Sequence, residues 1–372
     1  MKALGIILAG GNNYRMKELS SKRANAAMPI GGSYRAIDFA LSNMTNSQVQ
    51  RVAVLTQFNA RSLHEHLSSS KWWNFGRKQG GLYIFTPTIT KENAMWYQGT
   101  ADAIAQNLDF LKRSHEPYVI ICGGDCVYKL DYGEVLDYHI RKNADITVVV
   151  KDVEAGEDLS RFGVVHMDSD GRINEFEEKP MVTSLNTIST GIYVIRRRQL
   201  IEMLEQCVEE GRYDFVNDIL IRYKNLKRIY GYRLDGYWKN ISTVDSYYQT
   251  NMDFLDPEIR EYFFHQDPQI YSKADDLAPA KYNAGADVTN SIVSSGCIIN
   301  GKVENSVLFK QVFVGKNCVI KNSVVLNDVY IGDNTHIENC IVESLDTIRA
   351  NSYLCGEEKV KVVLEQNERY VM

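Results

Sequence analysis

Small and acidic residues follow two short apolar runs in this sequence, in an arrangement suited to binding phosphate and a metal ion. Gly10 and Gly11 come directly after the first run, and Asp125 ends the run YVIICGGD. Glycines leave backbone N–H groups open to an anion, and a carboxylate suits a hard cation such as Mg²⁺. In an open α/β sheet ligands bind beyond the carboxyl ends of the strands, so we expect these residues at one site. Paired glycines also serve as plain tight turns, so alone they are a weak signal.

The elements that must position these residues alternate in type up to about residue 256. The runs ALGIIL, RVAVLT, YVIICGGD and ITVVVKD are short, rich in branched residues and bounded by turn formers, as buried strands are. TADAIAQNLDFLKR and YGEVLDYHIRK carry helical spacing between them. This alternation predicts an α/β domain with a mostly parallel sheet and helices on both faces.

A repeat occupies the last part of the chain. VTNSIV at 288, VENSVL at 303, IKNSVV at 320 and IENCIV at 337 lie 15, 17 and 17 residues apart. The period predicts a parallel β-helix in which branched residues stack inward while Gly and Asn occupy the corners. A small β-sandwich is the alternative. We therefore expect an α/β domain over 1–256, a connector over 257–282 and a β-helix domain over 283–372.

Composition excludes several classes of function. The 372 residues suit two domains, and 44% hydrophobic with 24% charged residues is ordinary for a folded protein. A net charge of -5 without a dense basic patch gives no reason to expect nucleic acid or an anionic membrane. The seven cysteines contain no CxxC pair, so neither a disulfide framework nor a zinc site is indicated. We expect a reduced, cytoplasmic protein without membrane spans.

Four longer motifs identify a family. These are WYQGTADA at 96–103, GGDCVYKLDY at 123–132, FGVVHMDSDGRINEFEEKP at 162–180 and DGYWKNISTVDSYYQTNMDFL at 235–255. Together they resemble the sugar-nucleotide pyrophosphorylases, and within them the glucose-1-phosphate adenylyltransferases, over nearly the whole chain. The resemblance implies a Rossmann-like nucleotidyltransferase domain followed by a left-handed parallel β-helix of hexapeptide repeats. It also implies a reaction that joins glucose 1-phosphate to the α-phosphorus of ATP and releases pyrophosphate, with Mg²⁺ held by two aspartates.

The resemblance assigns the triphosphate end of the site and shows where this chain departs from the family. Gly10, Gly11 and Arg15 match the phosphate turn, and Asp125 matches the first magnesium aspartate. Three amides replace family residues: Asn13 stands for a glycine, Asn25 for a lysine and Asn240 for the second aspartate. A neutral amide cannot replace an ammonium group facing a polyanion, and an amide oxygen is a poorer Mg²⁺ ligand than a carboxylate. We expect impaired catalysis and a Mg²⁺ site weakened by Asn240.

The sugar end of the site is better preserved. The resemblance assigns seven positions to binding glucose 1-phosphate or shaping the nucleotide pocket: Tyr97, Gly99, Thr100, Asp102, Glu178, Lys179 and Ser189. Two alternatives remain open. Thr100 and Asp102 are also residues that begin a helix, and Lys179 before Pro180 is also typical of a solvated hairpin end.

The pattern of losses resembles that of the divergent subunit that accompanies the catalytic adenylyltransferase in glycogen biosynthesis. This implies a regulatory partner in a hetero-oligomer, expected to be a tetramer, that still binds glucose 1-phosphate or a related sugar phosphate. Three alternatives remain: a competent adenylyltransferase, an acyltransferase working on the β-helix around His336, and a scaffold that binds no ligand.

Overall fold

The computed structural model describes residues 3–11, 14–76, 80–88, 95–154 and 157–364, and the described part of the first domain contains a nine-stranded sheet. The strands of this domain are β1 (Ala3–Ala9), β2 (Pro29–Ile30), β3 (Tyr34–Arg35), β4 (Arg51–Thr56), β5 (Gly81–Phe85), β6 (Tyr118–Gly123), β7 (Cys126–Tyr128), β8 (Ile146–Asp152), β9 (Gly163–Met167), β10 (Ile173–Glu178), β11 (Thr187–Arg196), β12 (Ile229–Arg233) and β13 (Trp238–Asn240). The four runs predicted as strands are β1, β4, β6 and β8.

The main sheet is mostly parallel, as predicted. Its order is β10-β9-β11-β6-β1-β4-β5, and β8 and β12 extend it from β11. Strands β5, β4, β1 and β6 are parallel. Because β11 is antiparallel to β6, β8 and β9, those three strands keep the common direction, and only β10 and β11 run against it. The carboxyl ends of β1, β4 and β6 therefore meet at one edge.

Helices pack on both faces of the sheet. They are α1 (Ala36–Asn46), α2 (Arg61–His66), α3 (Thr100–Ala105), α4 (Leu108–Lys112), α5 (Tyr132–Arg141), α6 (Arg197–Glu209), α7 (Val244–Asp253) and α8 (Pro257–Arg260), with shorter 3₁₀ turns at Tyr14–Ser20, Asn25–Ala27 and Ser70–Trp73 and π-helical turns at Val216–Ile221 and Glu261–His265. Strand β1 shows the two-sided burial, since Ile7 joins the core beneath one face while Leu4 and Ile6 join the core beneath the other. The predicted segment TADAIAQNLDFLKR is split into two helices by Asn107.

Three parallel sheets of five strands form the C-terminal domain, and the alternative of a β-sandwich is wrong. The strands are β14 (Lys281–Tyr282), β15 (Asp287–Thr289), β16 (Ile292–Val293), β17 (Ile298–Ile299), β18 (Lys302–Glu304), β19 (Val307–Leu308), β20 (Phe313–Val314), β21 (Val319–Lys321), β22 (Val324–Val325), β23 (Tyr330–Ile331), β24 (His336–Glu338), β25 (Cys340–Val342), β26 (Thr347–Ile348), β27 (Tyr353–Cys355) and β28 (Lys361–Val363). The arrangement is that of a left-handed β-helix of hexapeptide repeats.

The branched residues of the repeat lie inside the coil and the asparagines lie at its corners, as predicted. Ile320 pairs with Val303 and Ile337 in register, and all three side chains are buried inside the coil. The asparagine of each repeat turns the corner, with φ of 45° at both Asn305 and Asn322. Asparagine tolerates this left-handed conformation better than most residues. The sequence period is therefore the period of the coil.

The third sheet of the β-helix packs on the first domain. Val307 and Val324 share a buried cluster with Tyr247 and Phe254 near the end of α7. The segment predicted as a connector, 257–282, contains α8 and the turn at Glu261–His265 and then supplies β14, the first strand of the coil. Across the described ranges, no helix is long and apolar enough to cross a membrane.

Candidate functional site

A cavity of about 520 Å³ opens at the edge where β1, β4 and β6 end. It collects most of the residues that the sequence assigned to one site. The predicted residues that line it are Gly10, Gly11, Tyr97, Gly99, Thr100, Asp125, Glu178, Lys179, Ser189 and Asn240. Arg15, Asn25 and Asp102 are not among the lining residues, and Asn13 lies outside the described residues.

The glycine turn forms one wall of the cavity. A Cβ added at Gly10 would lie 3.3 Å from the backbone nitrogen of Gln57, whereas one at Gly11 would meet open space. Gly10 therefore packs closely against the segment after β4, and Gly11 lines the cavity. Arg15 follows in the turn Tyr14–Ser20, partly buried, with its guanidinium carbon 5.8 Å from the centre of the Tyr14 ring.

Asn25 lies outside the cavity wall, in a turn near the edge that carries Asp125. It begins the 3₁₀ turn Asn25–Ala27 and is 8% exposed. Its neighbour Ala26 packs beneath Gly124, where an added Cβ would come within 3.1 Å of the Ala26 side chain. The turn therefore lies directly under the residue that precedes Asp125.

Strand pairing brings Asp125 and Asn240 together. Strand β13 is antiparallel to β7, with Asn240 opposite Cys126, and the backbone N–H of Ile241 donates to the carbonyl of Asp125 at 3.1 Å. Burial raises the pKa of Asp125, while hydrogen bonds from Asn240 and the Cys126 thiol oppose that increase. The preceding residue on β13, Lys239, is exposed. A carboxylate and an amide thus lie side by side at this end of the cavity.

Both ends of the Asn240 amide are engaged within the protein. Its Nδ2 lies 3.4 Å from the Sγ of Cys126, and its Oδ1 accepts a hydrogen bond from the backbone N–H of Ser242 at 3.1 Å. Burial, and then the charge of Asp125, raise the pKa of the Cys126 thiol well above its usual value, so this sulfur stays protonated and neutral. Asp125 is therefore the one carboxylate that lines the described cavity at this end.

The segment before α3 holds the opposite wall by backbone contacts. Tyr97 is fixed to Gln57 by two hydrogen bonds, one from its own N–H to Gln57 Oε1 at 2.7 Å and one from Gln57 Nε2 to its carbonyl at 3.3 Å. A Cβ at Gly99 would lie 2.3 Å from the carbonyl oxygen of Tyr213, so only glycine fits there. The Thr100 hydroxyl lines the cavity and accepts the N–H of Phe215 at 3.0 Å.

Asp102 has the contacts of a carboxylate at the start of a helix. Its Oδ2 accepts hydrogen bonds from the backbone N–H of Gln98 at 2.8 Å and from Gln106 Nε2 at 2.9 Å. These bonds tie the loop to the first turn of α3, where an acid also favours the helix dipole. These contacts agree with the helix-start alternative for Asp102, which is not among the residues lining the described cavity.

The end of the cavity that the sequence resemblance assigned to the sugar combines an ion pair with an acceptor that has no partner among the described residues. Lys179 Nζ lies 2.8 Å from Glu178 Oε1, and the lysine side chain is 57% exposed while the glutamate is 13% exposed. The other carboxylate oxygen of Glu178 is buried and has no hydrogen-bond partner among the described residues. Ser189 completes this end from β11, within 3.4 Å of the Tyr193 hydroxyl. A buried acceptor beside an exposed cation suits a ligand that carries hydroxyl and phosphate groups.

Several lining residues were not predicted from the sequence, among them Arg161, Gln57 and Trp238. Arg161 precedes β9, Gln57 follows β4, and Trp238 lies on β13 beside Asn240. Gln57 could have been found, because it follows a predicted strand in the same way that Gly10 follows β1. Arg161 carries no comparable signal, since it reaches the cavity through a loop whose path the spacing does not specify.

Comparison with known proteins gives a consistent result. The family model "Nucleotidyl transferase" matches residues 4–257, and the model "GlmU-like, C-terminal hexapeptide" matches residues 277–361. A glucose-1-phosphate adenylyltransferase of Clostridium acetobutylicum is 41% identical over 320 residues, 85% of this chain and 84% of the relative. That of Geobacillus stearothermophilus is 37% identical over 322 residues, 86% and 83%. That of Thermosipho melanesiensis is 40% identical over 320 residues, 85% and 77%.

Proposed function

Because this chain belongs to the glucose-1-phosphate adenylyltransferase family of nucleotidyl transferases, we propose that it is the divergent partner subunit of glycogen biosynthesis, similar to the protein GlgD. In this proposal it binds glucose 1-phosphate or a related sugar phosphate and activates a catalytic adenylyltransferase subunit. Its own synthesis of ADP-glucose is weak or absent.

The proposal is carried by the contacts of Asn240. The Asn240 Nδ2 donates to the Sγ of Cys126 and its Oδ1 accepts from the N–H of Ser242, beside the partly buried carboxylate of Asp125. Mg²⁺ prefers several hard oxygen ligands, at least one or two of them carboxylates, so this donor set does not fit a two-aspartate magnesium site. We derive no reaction step through a metal at this edge.

Asn25 supports the same conclusion from a second segment. It is buried in the turn whose Ala26 packs under Gly124, and it is neutral where the family has a lysine. Loss of one group that stabilises transition-state charge typically costs about 3 kcal/mol, so two such losses reduce the rate on the order of 10⁴-fold if they act independently. Groups that act as a unit are not additive, which makes this an order of magnitude only.

Retention of the sugar end distinguishes a ligand-binding partner from a bare scaffold. Glu178, Lys179, Ser189 and Tyr97 all line the cavity, and the unpaired oxygen of Glu178 remains to accept a ligand hydroxyl. A buried acceptor without a partner costs free energy, roughly 1 to 3 kcal/mol, which a bound ligand can recover. We further propose a hetero-tetramer with the catalytic subunit, in the cytoplasm.

A competent adenylyltransferase is the second candidate. It is favoured by the 37% to 41% identity to proteins that carry this activity in their names. In that case the substrates and their own bound Mg²⁺ would have to supply the charge that Asn25 and Asn240 lack.

One assay separates the two candidates. ADP-glucose formation is measured with saturating Mg²⁺ for this chain alone, for a catalytic subunit from the same source alone, and for the mixture. We expect this chain to form ADP-glucose more than about tenfold more slowly than the catalytic subunit. The rate of the mixture should exceed the sum of the two separate rates. Activity of this chain within about tenfold of the catalytic subunit would instead establish the second candidate.

Restoring the lost groups tests the assignment itself. The double change Asn25→Lys and Asn240→Asp should raise ADP-glucose formation by more than the two single changes together, since each restored charge depends on the other. The matched control, Asn25→Met with Asn240→Ser, alters size without restoring charge and should gain nothing. A double variant that folds, binds glucose 1-phosphate and stays inert would place the loss of activity elsewhere.

A further inference from the structure

A second concavity lies on the first domain, apart from the cavity described above. This groove, of about 440 Å³, lies between the end of α5, the β9–β10 hairpin and β12. Among the described residues, none lines both the groove and the cavity. The volume of the groove falls within the roughly 300 to 1,000 Å³ of small-molecule sites. The proposed function so far gives this groove no ligand.

The floor of the groove is apolar and is fixed by contacts within the protein. Gly231 on β12 is buried, and the Sδ of Met167 packs so closely on it that a Cβ would not fit. The Tyr138 hydroxyl donates to the Gly231 carbonyl at 2.9 Å. The ring of Tyr138 meets the ring of Tyr232 edge to face, with centroids 5.5 Å apart, and the Tyr232 hydroxyl lies 3.1 Å from Glu134 Oε2. Two oriented aromatic rings and a thioether thus form the floor.

Charged side chains form the rim of the groove, and they have partners within the protein. Lys142 Nζ lies 2.5 Å from Asp170 Oδ1, and Arg233 Nη1 donates to Asp152 Oδ2. Asp168 Oδ1 accepts the backbone N–H of Asp170 at 2.9 Å. A charged ligand would have to compete with these partners. A neutral ligand with hydroxyl groups can use the donors and lone pairs that remain, since a guanidinium has five N–H groups and a carboxylate about four lone pairs.

We propose that this groove binds a segment of a glucan chain, at a site separate from the cavity. A pyranose ring has a C–H face that packs on an aromatic floor and a rim of hydroxyls that can bond to polar groups at the edge. Asp168, Asp170 and Arg233 are exposed, so the groove opens to solvent and can take one part of a longer chain.

The choice of a glucan among neutral sugars rests on the proposed function. A subunit of glycogen biosynthesis works where an α-1,4-glucan is being extended, and that polymer is neutral and rich in hydroxyls. Binding in the groove would hold this subunit, together with its catalytic partner, at the polymer that consumes ADP-glucose.

Calorimetric titration of maltoheptaose, a short linear α-1,4-glucan, into the full chain tests the proposal. We expect binding that saturating glucose 1-phosphate leaves unchanged, because the two sites share no lining residue. Tyr232→Ala should weaken binding at least about tenfold, since it removes one of the two rings of the floor. Tyr232→Phe keeps that ring and should bind within about twofold of the unchanged protein. Tyr353→Ala, on a tyrosine of the β-helix that is 71% exposed, is the matched control and should change nothing.

The outcomes separate this inference from the proposed function. If maltoheptaose does not bind, or binds Tyr232→Ala as tightly as the unchanged protein, the inference is overturned, and glucose 1-phosphate binding by the same preparation still supports the proposed function. Displacement of maltoheptaose by glucose 1-phosphate would place the glucan in the cavity and overturn the inference as well. Absence of glucose 1-phosphate binding counts against the proposed function, whatever the glucan does.

A second variant keeps the test decisive if Tyr232→Ala does not fold, as judged by its thermal melt. Arg233→Met changes an exposed side chain of the rim, outside the core. It should weaken maltoheptaose binding by roughly threefold or more, the effect of one lost hydrogen bond. Binding equal to that of the unchanged protein would overturn the inference.

Discussion

A buried ion pair between the two domains gives the sharpest test of how this fold is held together. Arg23, two residues before Asn25, reaches the β-helix, where its Nη2 lies 2.5 Å from Glu343 Oε1 and its Nη1 donates to Ser344 at 3.3 Å. The arginine side chain is 11% exposed and the glutamate 0%. We predict that Arg23→Met strongly destabilises the protein, because it leaves a carboxylate buried without its cation.

The repeat shows what Glu343 replaces. It occupies the position that Phe309 and Leu326 hold in the two preceding coils, and both of those side chains are buried against the first domain. Breaking a buried pair by removing one partner typically costs about 3 to 5 kcal/mol, whereas replacing both partners with apolar residues is often neutral or stabilising. Arg23→Met should therefore cost about 3 to 5 kcal/mol, and the double variant Arg23→Met with Glu343→Leu should recover most of that loss.

Urea unfolding followed by circular dichroism measures the free energy of unfolding for each single variant and for the double variant. The coupling energy from this cycle should be at least about 2 kcal/mol. The exposed pair Arg113–Asp109, at 3.4 Å, is the matched control, and its removal should change little. If Arg23→Met costs less than about 1 kcal/mol, the Glu343 carboxylate is relieved by other contacts and the reasoning is refuted.

Two further predictions concern stability. Burial lowers the pKa of His139 to about 4, below its value in the unfolded chain. The neutral imidazole therefore stabilises the folded protein at neutral pH, and this stabilisation is lost as the pH falls from about 6.5 toward 4. Lowering the pH from 7 to 5 should reduce the free energy of unfolding in urea by about 2 kcal/mol. His139→Gln should remove this part of the pH dependence, and a variant with the same pH dependence as the unchanged protein would contradict the prediction. In the coil, Ile320→Ala should cost about 2 to 5 kcal/mol through the cavity it leaves, while Lys321→Ala on the outer face of the same strand should change little, and equal losses would refute the assigned register.

Much of the candidate site could be predicted because strand ends are visible in the sequence. Gly10 and Asp125 each follow a short buried run, and parallel strands deliver such residues to one edge without any detailed knowledge of packing. Asp102 shows the limit of the method. Its place in a motif predicted a role in holding the sugar phosphate or shaping the nucleotide pocket, whereas in the structure its carboxylate hydrogen-bonds Gln98 and Gln106 within its own segment.

The sequence by itself determined the β-helix. Its inward residues and its corner asparagines recur with the period of the coil, and each is chosen by local chemistry: branched side chains fill the interior, and asparagine accepts positive φ. It also determined the alternation of strands and helices in the first domain, because the spacing of apolar residues that distinguishes a strand from a helix is visible over a few neighbouring residues.

Only the tertiary structure decided the charges that matter at the site and between the domains. Arg161 meets Ser242 across 81 residues of sequence, and Arg23 meets Glu343 across 320. Neither pairing follows from spacing, because each depends on how strands cross and on which face of the coil packs against α7. Whether a charged side chain is neutralised, buried or left to bind a ligand is set by partners that only folding brings within hydrogen-bond distance.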